Sequence, residues 1–334
     1  MRIALFAKSK ARTQTPRSMA RAFARAGHQV RVFHEAKRRQ WVGRTLARLW
    51  TLRGVARFSP DLVYIYAEDI SEPVFAALAG RVPTVMFTAD LWPSPVLPEH
   101  LGLAARVDLF FTCARGQVAE FERAGVKRAV YITDAHDPEL YHPVAPDPAF
   151  ASEIAFIGRY NSRDATLYAT RAELVAQIAR RFDLRIYGSG WQQLGLASAR
   201  DEVFPEQYRA ICSSAGIVLG CDGFHHSCEG YFSNRTWLTL GSGGFLLTNY
   251  VPGLEQFFEN HRHLVWYRSP GECLELIEHY RSRRDERARI AAAGHASARE
   301  HRTYDDFARD LIDLLEGRDP QFPPGLHGGA RASR

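Results

Sequence analysis

The segment 231–248 contains residue types that bind phosphate groups in many proteins. Its order predicts a loop, a short helix that begins near Ser233 or Asn234, and a buried strand after two glycines. Amide groups exposed at the start of such a helix attract anions, and Arg235 in its first turn adds a planar guanidinium that suits a diphosphate. We therefore predict that Ser233, Asn234 and Arg235 bind a diphosphate. The alternative is an ordinary surface helix whose Arg235 pairs with a nearby acid.

Further candidates follow the predicted strands of the C-terminal half, where ligands bind in doubly wound parallel sheets. Arg159 and Arg163 come after the first of these strands and could contact the same phosphates. Tyr187 and Gly188 end the next strand, where glycine leaves room for a base or a ribose. For each of them an ordinary solvated loop or turn is the alternative. The predicted ligand-binding set is Gly158, Arg159, Arg163, Tyr187, Gly188, Ser233, Asn234, Arg235, Gly243 and Gly244.

In the N-terminal half, Asp90 follows the predicted strand 84–88 and begins a proline-rich loop. A carboxylate at the carboxyl end of a strand can hold or deprotonate a substrate hydroxyl. We therefore predict that Asp90, Arg159 and Arg235 are catalytic. Aspartate is also a common turn residue, which is the alternative for Asp90.

The spacing of cysteine and histidine argues against a metal site and against a disulfide framework. The five cysteines are odd in number, widely separated and without a CxxC pair. His225, His226, Cys228 and Glu229 crowd one loop, but adjacent histidines lack the spacing of known metal sites. We predict reduced thiols, no bound metal and no cofactor.

The elements that must position these residues alternate between strand and helix. Apolar runs of strand length alternate with helical patterns in both halves, which predicts an α/β fold with doubly wound parallel sheets. Strands are predicted at 2–7, 29–34, 62–66, 84–88, 109–112 and 129–132, and again at 154–158, 184–188, 217–220 and 245–248.

The length of 334 residues suits two domains. A Pro- and Asp-rich stretch at 134–148 has the composition of a linker. We place an N-terminal Rossmann-like domain at 1–145 and a C-terminal one at 150–302. A final amphipathic helix is predicted at about 303–316, and the Gly-, Pro- and Arg-rich tail 318–334 is predicted to be disordered.

Positive charge is concentrated at the start of the chain. Residues 1–57 carry fifteen Lys and Arg against one acid, Glu35, so their net charge is +14 and the remainder sums to −8. This asymmetry predicts an anionic partner, namely membrane phospholipid, a lipid-linked phosphate or an acidic acceptor, with nucleic acid less favoured. The stretch 39–57 mixes Trp and Leu with Arg, which is typical of a helix on an anionic membrane. The alternative is a helix packed on its own domain with solvated arginines.

The longest apolar runs have the length of a strand, so no segment is expected to cross a membrane. The first residues lack the apolar core of a signal peptide. We predict a cytoplasmic protein, with peripheral contact at the inner membrane face as a further expectation.

Taken in order, several segments resemble the GT-B glycosyltransferases of group 1, and most closely the branch similar to the spore maturation protein CgeB. The N-terminal half matches loosely, through AGHQV at 26–30 and DPELY at 137–141. The C-terminal half matches through FIGR (156–159), IYGSGW (186–191), SNRTW (233–237), GGFLLT (243–248), PGLEQFF (252–258), HLVWY (263–267), AG (293–294) and HRTY (301–304).

The resemblance implies two Rossmann-like domains that face a cleft, with a nucleotide-sugar donor in the C-terminal domain and an acceptor held mainly by the N-terminal domain. It implies transfer of a sugar, hexosyl in kind, with retention of configuration and no required metal; the last helix would pack back on the N-terminal domain. Arg159, Arg163 and Arg235 would neutralise the leaving diphosphate, and Asp90 would contact the acceptor. Relatives usually carry a glutamate where this chain has Leu238.

Other functions fit the same residues. A nucleotide-sugar epimerase or hydrolase of this fold needs no separate acceptor, and a non-catalytic sugar- or nucleotide-binding subunit is consistent with Leu238. An NAD dehydrogenase is disfavoured, because no GxGxxG opens a helix with an acid about 20 residues further on.

Overall fold

The computed structural model describes residues 1–8, 15–161, 165–222 and 228–318. The chain divides into two compact units. The first unit contains Met1–Thr133 and the segment that begins at Tyr304, and the second contains Asp134–Thr303. The tail that we predict to be disordered lies, from residue 319 onward, outside the described residues.

The first unit is built on a six-stranded parallel sheet. Its strands are β1 (Arg2–Phe6), β2 (Gln29–Phe33), β3 (Leu62–Tyr66), β4 (Thr84–Thr88), β5 (Leu109–Thr112) and β6 (Ala129–Tyr131), in the order β2-β1-β3-β4-β5-β6. The helices are α1 (Thr15–Arg25), α2 (Glu35–Phe58), α3 (Glu72–Leu78) and α4 (Val118–Ala124). Central strands such as β4 are apolar and buried on both faces because helices cover the sheet on both sides. The edge strand β2 alternates instead between more and less exposed residues.

The second unit repeats this architecture. Its strands are β7 (Ser152–Ile157), β8 (Leu184–Tyr187), β9 (Ser198–Arg200), β10 (Ala215–Leu219), β11 (Leu246–Asn249) and β12 (Val265–Tyr267), in the parallel order β12-β11-β10-β7-β8-β9. The helices are α5 (Ala165–Ala179), α6 (Pro205–Ser214), α7 (Arg235–Gly241), α8 (Pro270–Arg281) and α9 (Arg284–His301). Each unit is therefore a Rossmann-like doubly wound sheet, and the predicted α/β class is confirmed.

The last helix, α10 (Tyr304–Leu315), belongs to the first unit. It packs along α1, where Arg25 forms an ion pair of 2.8 Å with Asp305. The Phe307 ring contacts the Phe87 ring of β4 edge-on, with 5.2 Å between the ring centres. The amphipathic pattern of this helix thus buries its apolar face on the N-terminal sheet.

The Pro-rich stretch 134–148 packs on the second unit, so the division falls before it. The amides of Val144 and Asp147 donate to the hydroxyls of Ser213 and Ser214 at the end of α6. A composition that resembles a linker therefore serves here as a packed segment, because its backbone donors have partners in α6.

Among the described residues, no helix is both long enough and apolar enough to span a bilayer.

Candidate functional site

The carboxyl edge of the second sheet brings several of the predicted residues together. From β7 the chain proceeds outward in one direction through β8 and in the other through β10, so the switch point lies between β7 and β10. Ligands of doubly wound sheets bind at such a point, beyond the carboxyl ends of the strands. Gly158 and Arg159 follow β7, Gly188 follows β8, and Arg235 begins α7.

Arg235 connects the ends of the two strands that flank the switch point. Its Nε donates to the carbonyl oxygen of Ile157, at the end of β7, over 2.7 Å. Its Nη1 lies 3.2 Å from Oδ1 of Asp222, which follows β10. The third nitrogen, Nη2, makes no hydrogen bond with a described residue and lies against Gly158, where a Cβ would be 3.0 Å away. Two nitrogens of Arg235 thus bind groups of the protein at the ends of β7 and β10, and the third, Nη2, can donate to a ligand.

Asp222 is a buried carboxylate with a side chain only 4% exposed. Its Oδ1 pairs with Arg235, and its Oδ2 accepts a hydrogen bond from the amide of Ser233 at 3.2 Å. Its own amide donates to Oδ1 of Asn249, at the end of β11, over 2.8 Å. The pairing of Arg235 with an acid, which was our alternative for this arginine, is therefore present.

The start of α7 is capped by Ser233. The Ser233 hydroxyl accepts a hydrogen bond from the amide of Arg235 at 3.2 Å. Asn234 already has helical dihedral angles and its side chain caps nothing. The predicted helix start is therefore at the right place, and of the two candidate caps Ser233 satisfies an amide.

Two more arginines lie at the same edge. Arg159 is exposed and makes no hydrogen bond or ion pair with a described residue. Arg171 of α5 is buried, and its Nε donates to the carbonyl oxygen of Cys221, just after β10, over 2.8 Å. Arg159, Arg171 and Arg235 thus place three guanidinium groups at this edge, and guanidinium groups bind diphosphates well.

Position 188 requires glycine because the backbone that follows β7 packs directly against it. Its φ is +132°, and a Cβ there would lie 2.3 Å from the carbonyl oxygen of Gly158. The same oxygen accepts a hydrogen bond from Nε1 of the buried Trp191 over 2.7 Å. The space we expected for a base or a ribose is thus filled at Gly188 by the backbone that follows β7.

We expect Gly188→Ala to destabilise the protein by about 3 kcal/mol, because alanine adds both an unfavourable φ and a contact with a backbone that other groups hold in place. Gly195→Ala is the matched control. Its φ is +70°, and a Cβ there meets nothing within 4 Å. The control should cost only about 1 kcal/mol. Urea unfolding of both variants measures the difference, and equal losses would contradict the packing role.

Tyr187 is a core residue. Its side chain is 2% exposed and lies in a cluster with Ile157 and Tyr208, on which Leu238 also packs. Burial raises the pKa of Tyr208 well above its ordinary value, and its hydroxyl bonds Thr239 over 2.9 Å. The side chain of Tyr187 therefore does not line the site, and Leu238 occupies an apolar position.

Gly243 and Gly244 lie at the opposite edge of the sheet, because they precede β11 and the carboxyl edge follows it. Gly243 has a φ of +72° and ends α7. A Cβ on Gly244 would lie 2.9 Å from Thr239 and 3.1 Å from Cys212. We therefore assign these two glycines to helix termination and packing rather than to ligand contact.

Asp90 lies in the first unit, two residues beyond β4. Its amide donates to the Thr88 hydroxyl at 3.3 Å, and the residue is exposed. The switch point of this sheet lies between β1 and β3, where Lys8 and Asp69 form an ion pair of 3.0 Å. Asp90 thus stands at the carboxyl edge, one strand away from the switch point.

Arg163, His225 and His226 lie outside the described residues. Within the parts of the chain that the structure describes, no group of three His, Cys, Asp or Glu side chains could hold a metal ion. No disulfide joins the five cysteines, all of which are described.

Sequence reasoning missed Asp222, Asn249 and Arg171. Asp222 carried a usable signal, since it follows a predicted strand as Asp90 does. Asn249 carries the same signal, since it directly follows the predicted strand 245–248. Arg171 lies within a helix, and nothing in its local sequence separates it from surface residues.

The sequence matches a family model described as glycosyl transferase-like over residues 169–313. This region runs from α5 to α10 and includes Arg171, Asp222 and Arg235. No curated protein matches the sequence.

Solved structures match nearly the whole chain at low sequence identity. HepE from Anabaena, in complex with UDP and glucose, is 13% identical with a TM-score of 0.63, and the match covers 95% of this chain and 100% of that one. Sucrose-phosphate synthase from Thermosynechococcus elongatus is 14% identical with a TM-score of 0.67, covering 95% and 98%. An α-glucosyltransferase in complex with UDP is 11% identical with a TM-score of 0.66, covering 95% and 100%. The two six-stranded parallel sheets with their flanking helices therefore have the fold of GT-B glycosyltransferase structures.

Proposed function

We propose that the protein is a glycosyltransferase of the GT-B group 1, CgeB-like type, which moves a sugar from a nucleotide-sugar donor to an acceptor. The observation that supports this proposal most strongly is the position of Arg235. Its side chain is held between the ends of β7 and β10, and its Nη2 lies at the switch point without a hydrogen bond to a described residue. The similarity to the glycosyl transferase-like family model over residues 169–313 supports the same reaction class.

In this proposal the donor diphosphate lies against Gly158, Arg159 and Arg235. Arg159 supplies a charge that no described side chain neutralises, and Arg235 supplies Nη2 from a fixed position. Fixed donors aimed at a leaving group stabilise the charge that develops on it without having to reorganise, which is electrostatic catalysis. Arg163 is retained as a further diphosphate ligand from its position five residues after Gly158.

Uridine diphosphate is the first nucleotide to test, because HepE and the α-glucosyltransferase were both solved with UDP. We propose a hexosyl donor, retention of configuration and catalysis without a metal or a cofactor, all of which follow from the family resemblance. The acceptor would be held by the first unit, with its hydroxyl contacted by Asp90.

The charge of +14 on residues 1–57 favours an anionic or lipid-linked acceptor and peripheral contact with a membrane. We accordingly propose that the protein works in the cytoplasm, at the inner membrane face.

A panel of UDP, GDP and dTDP in a thermal-unfolding assay tests the donor site. We expect one diphosphate to raise the melting temperature by several degrees at about a hundred times its Kd, since ligands of the folded state stabilise it by mass action. The matching free nucleoside, which lacks the phosphates, should shift it much less. If no diphosphate raises the melting temperature, the proposed donor site is wrong.

A non-catalytic nucleotide-binding subunit is the second candidate, and one observation favours it. Leu238 packs on the apolar cluster of Tyr187 and Tyr208, at the position where relatives usually carry a glutamate. This candidate predicts the same thermal shift without release of UDP from a UDP-sugar in the presence of any acceptor extract. Measurable UDP release would favour the transferase.

A further inference from the structure

We propose that one face of α2 binds the surface of an anionic lipid bilayer. It consists of the exposed side of the second part of the helix, with Leu46, Leu49 and Trp50, and of the exposed Trp41 just before the interruption at Gly43. We call these residues and the basic side chains around them the α2 face. This proposal assigns the membrane contact proposed above to one location in the fold. It rests on the proposed function only for its biological purpose, since the residues from which it is argued all lie within the first unit.

The geometry of α2 separates a buried side from an exposed side. Gly43 has dihedral angles of 75° and 171°, so the helix is interrupted there and restarts at Arg44. In the second part Ala47, Thr51 and Val55 are buried. They recur every four residues, which places them on one side of the helix.

Leu46, Leu49 and Trp50 lie on the other side, at the spacing of one helical face. Their exposures are 48%, 49% and 51%, and Trp41 before the interruption reaches 76%. Within the described part of the chain only eight large apolar side chains are exposed, and four of them fall in this single stretch of ten residues. Scattered exposed apolar residues are ordinary, whereas a cluster with two tryptophans marks an interaction surface.

The charged side chains of the same face are all positive. The only acid of α2, Glu35, is buried and accepts hydrogen bonds from Ser71. The Nζ of Lys37 lies 5.2 Å from the ring centre of Trp41. None of the exposed arginines of α2 forms an ion pair with a described residue; they are Arg39, Arg44, Arg48, Arg53 and Arg57.

This combination fits an anionic bilayer better than it fits a second copy of the chain. A second copy that presented the same face would bring two sets of arginines together without acids between them. A bilayer with anionic headgroups offers negative charge to the arginines and an interfacial layer in which Trp and Leu can be buried. The occupant of the α2 face is therefore an anionic membrane surface.

Sedimentation of the full-length protein with vesicles tests the proposal. We expect binding at low salt to phosphatidylcholine vesicles with about a third phosphatidylglycerol, and much weaker binding to pure phosphatidylcholine. Trp41→Ala with Trp50→Ala should lower the partition coefficient roughly tenfold, and Arg44→Gln with Arg48→Gln by a similar factor. Quenching of tryptophan fluorescence by brominated lipid should disappear in the tryptophan variant.

The matched control is Leu97→Ala with Phe204→Ala, which removes two apolar side chains of 38% and 41% exposure away from α2. It should bind vesicles as the wild type does. Absence of binding to anionic vesicles at low salt, or equal binding by the tryptophan variant, would overturn the proposal. So would a concentration-dependent dimer that the tryptophan variant loses, since a second copy would then cover the face. UDP binding by the same variants reports separately on the donor site.

Discussion

Replacement of Arg235 by alanine is expected to destabilise the protein by about 3 kcal/mol, in addition to any loss of activity. The guanidinium is the main partner of Asp222, whose side chain is 4% exposed, and it also holds the end of β7 through Ile157. Removal of one partner of a buried ion pair leaves a charge with little solvent to stabilise it. Urea unfolding of the purified variant measures the loss.

A double-mutant cycle separates the ion pair from the other contacts of Arg235. Asp222→Asn keeps an acceptor for the Ser233 amide and removes the charge. In the Asp222→Asn background, Arg235→Ala should therefore lower the free energy of unfolding by about 1–3 kcal/mol less than it does in the wild type. Arg262→Ala is the control, since Arg262 pairs with Glu259 over 2.8 Å at more than 60% exposure of both side chains. Its cost should remain under about 1 kcal/mol. A loss at Arg235 no larger than at Arg262 would mean that the pair contributes little.

This stability role changes how Arg235 can be used as a functional test. A loss of turnover in Arg235→Ala would have two explanations, the missing Nη2 and the displaced ends of β7 and β10. Arg159 offers a test without this ambiguity, because it is exposed and holds no described residue.

Most of the fold could be predicted from the sequence because both sheets are parallel and covered on both sides. Such strands are mainly apolar on both faces, so runs like 62–66 and 84–88 stand out from their surroundings. Two short strands were not predicted. β9 has the sequence Ser-Ala-Arg at an exposed edge, and β12 has three residues, so neither shows a periodicity.

The candidate site was only partly predictable, since its contacts join distant parts of the chain. The position of Arg235 at a helix start follows from local sequence, but its partners Ile157 and Asp222 are 78 and 13 residues away. They meet because β7 and β10 are neighbours, which local patterns do not specify. The sequence order did carry one unused signal, since Gly243 and Gly244 precede a strand and therefore belong to the amino edge.

Replacement of Arg159 by alanine is expected to weaken UDP binding tenfold to a hundredfold, which is roughly what the loss of one charged hydrogen bond represents, and to leave the stability of the protein unchanged. Isothermal titration with UDP measures the change. The same variant should bind uridine as well as the wild type does, because the lost interaction is with the phosphates. Arg159→Lys keeps the positive charge but lacks the planar guanidinium. Its affinity for UDP should therefore lie between those of the wild type and of Arg159→Ala.

Arg180→Ala is the matched control for this experiment. Arg180 is an exposed arginine of the same unit that forms no ion pair with a described residue. It lies between α5 and β8, hence at the amino edge of the sheet, where the proposal places no ligand. If the site were only a diffuse positive surface, both variants would weaken UDP binding equally and high salt would abolish the binding. A loss confined to Arg159 requires that the diphosphate lies at the carboxyl ends of β7 and β10, where Nη2 of Arg235 is left over.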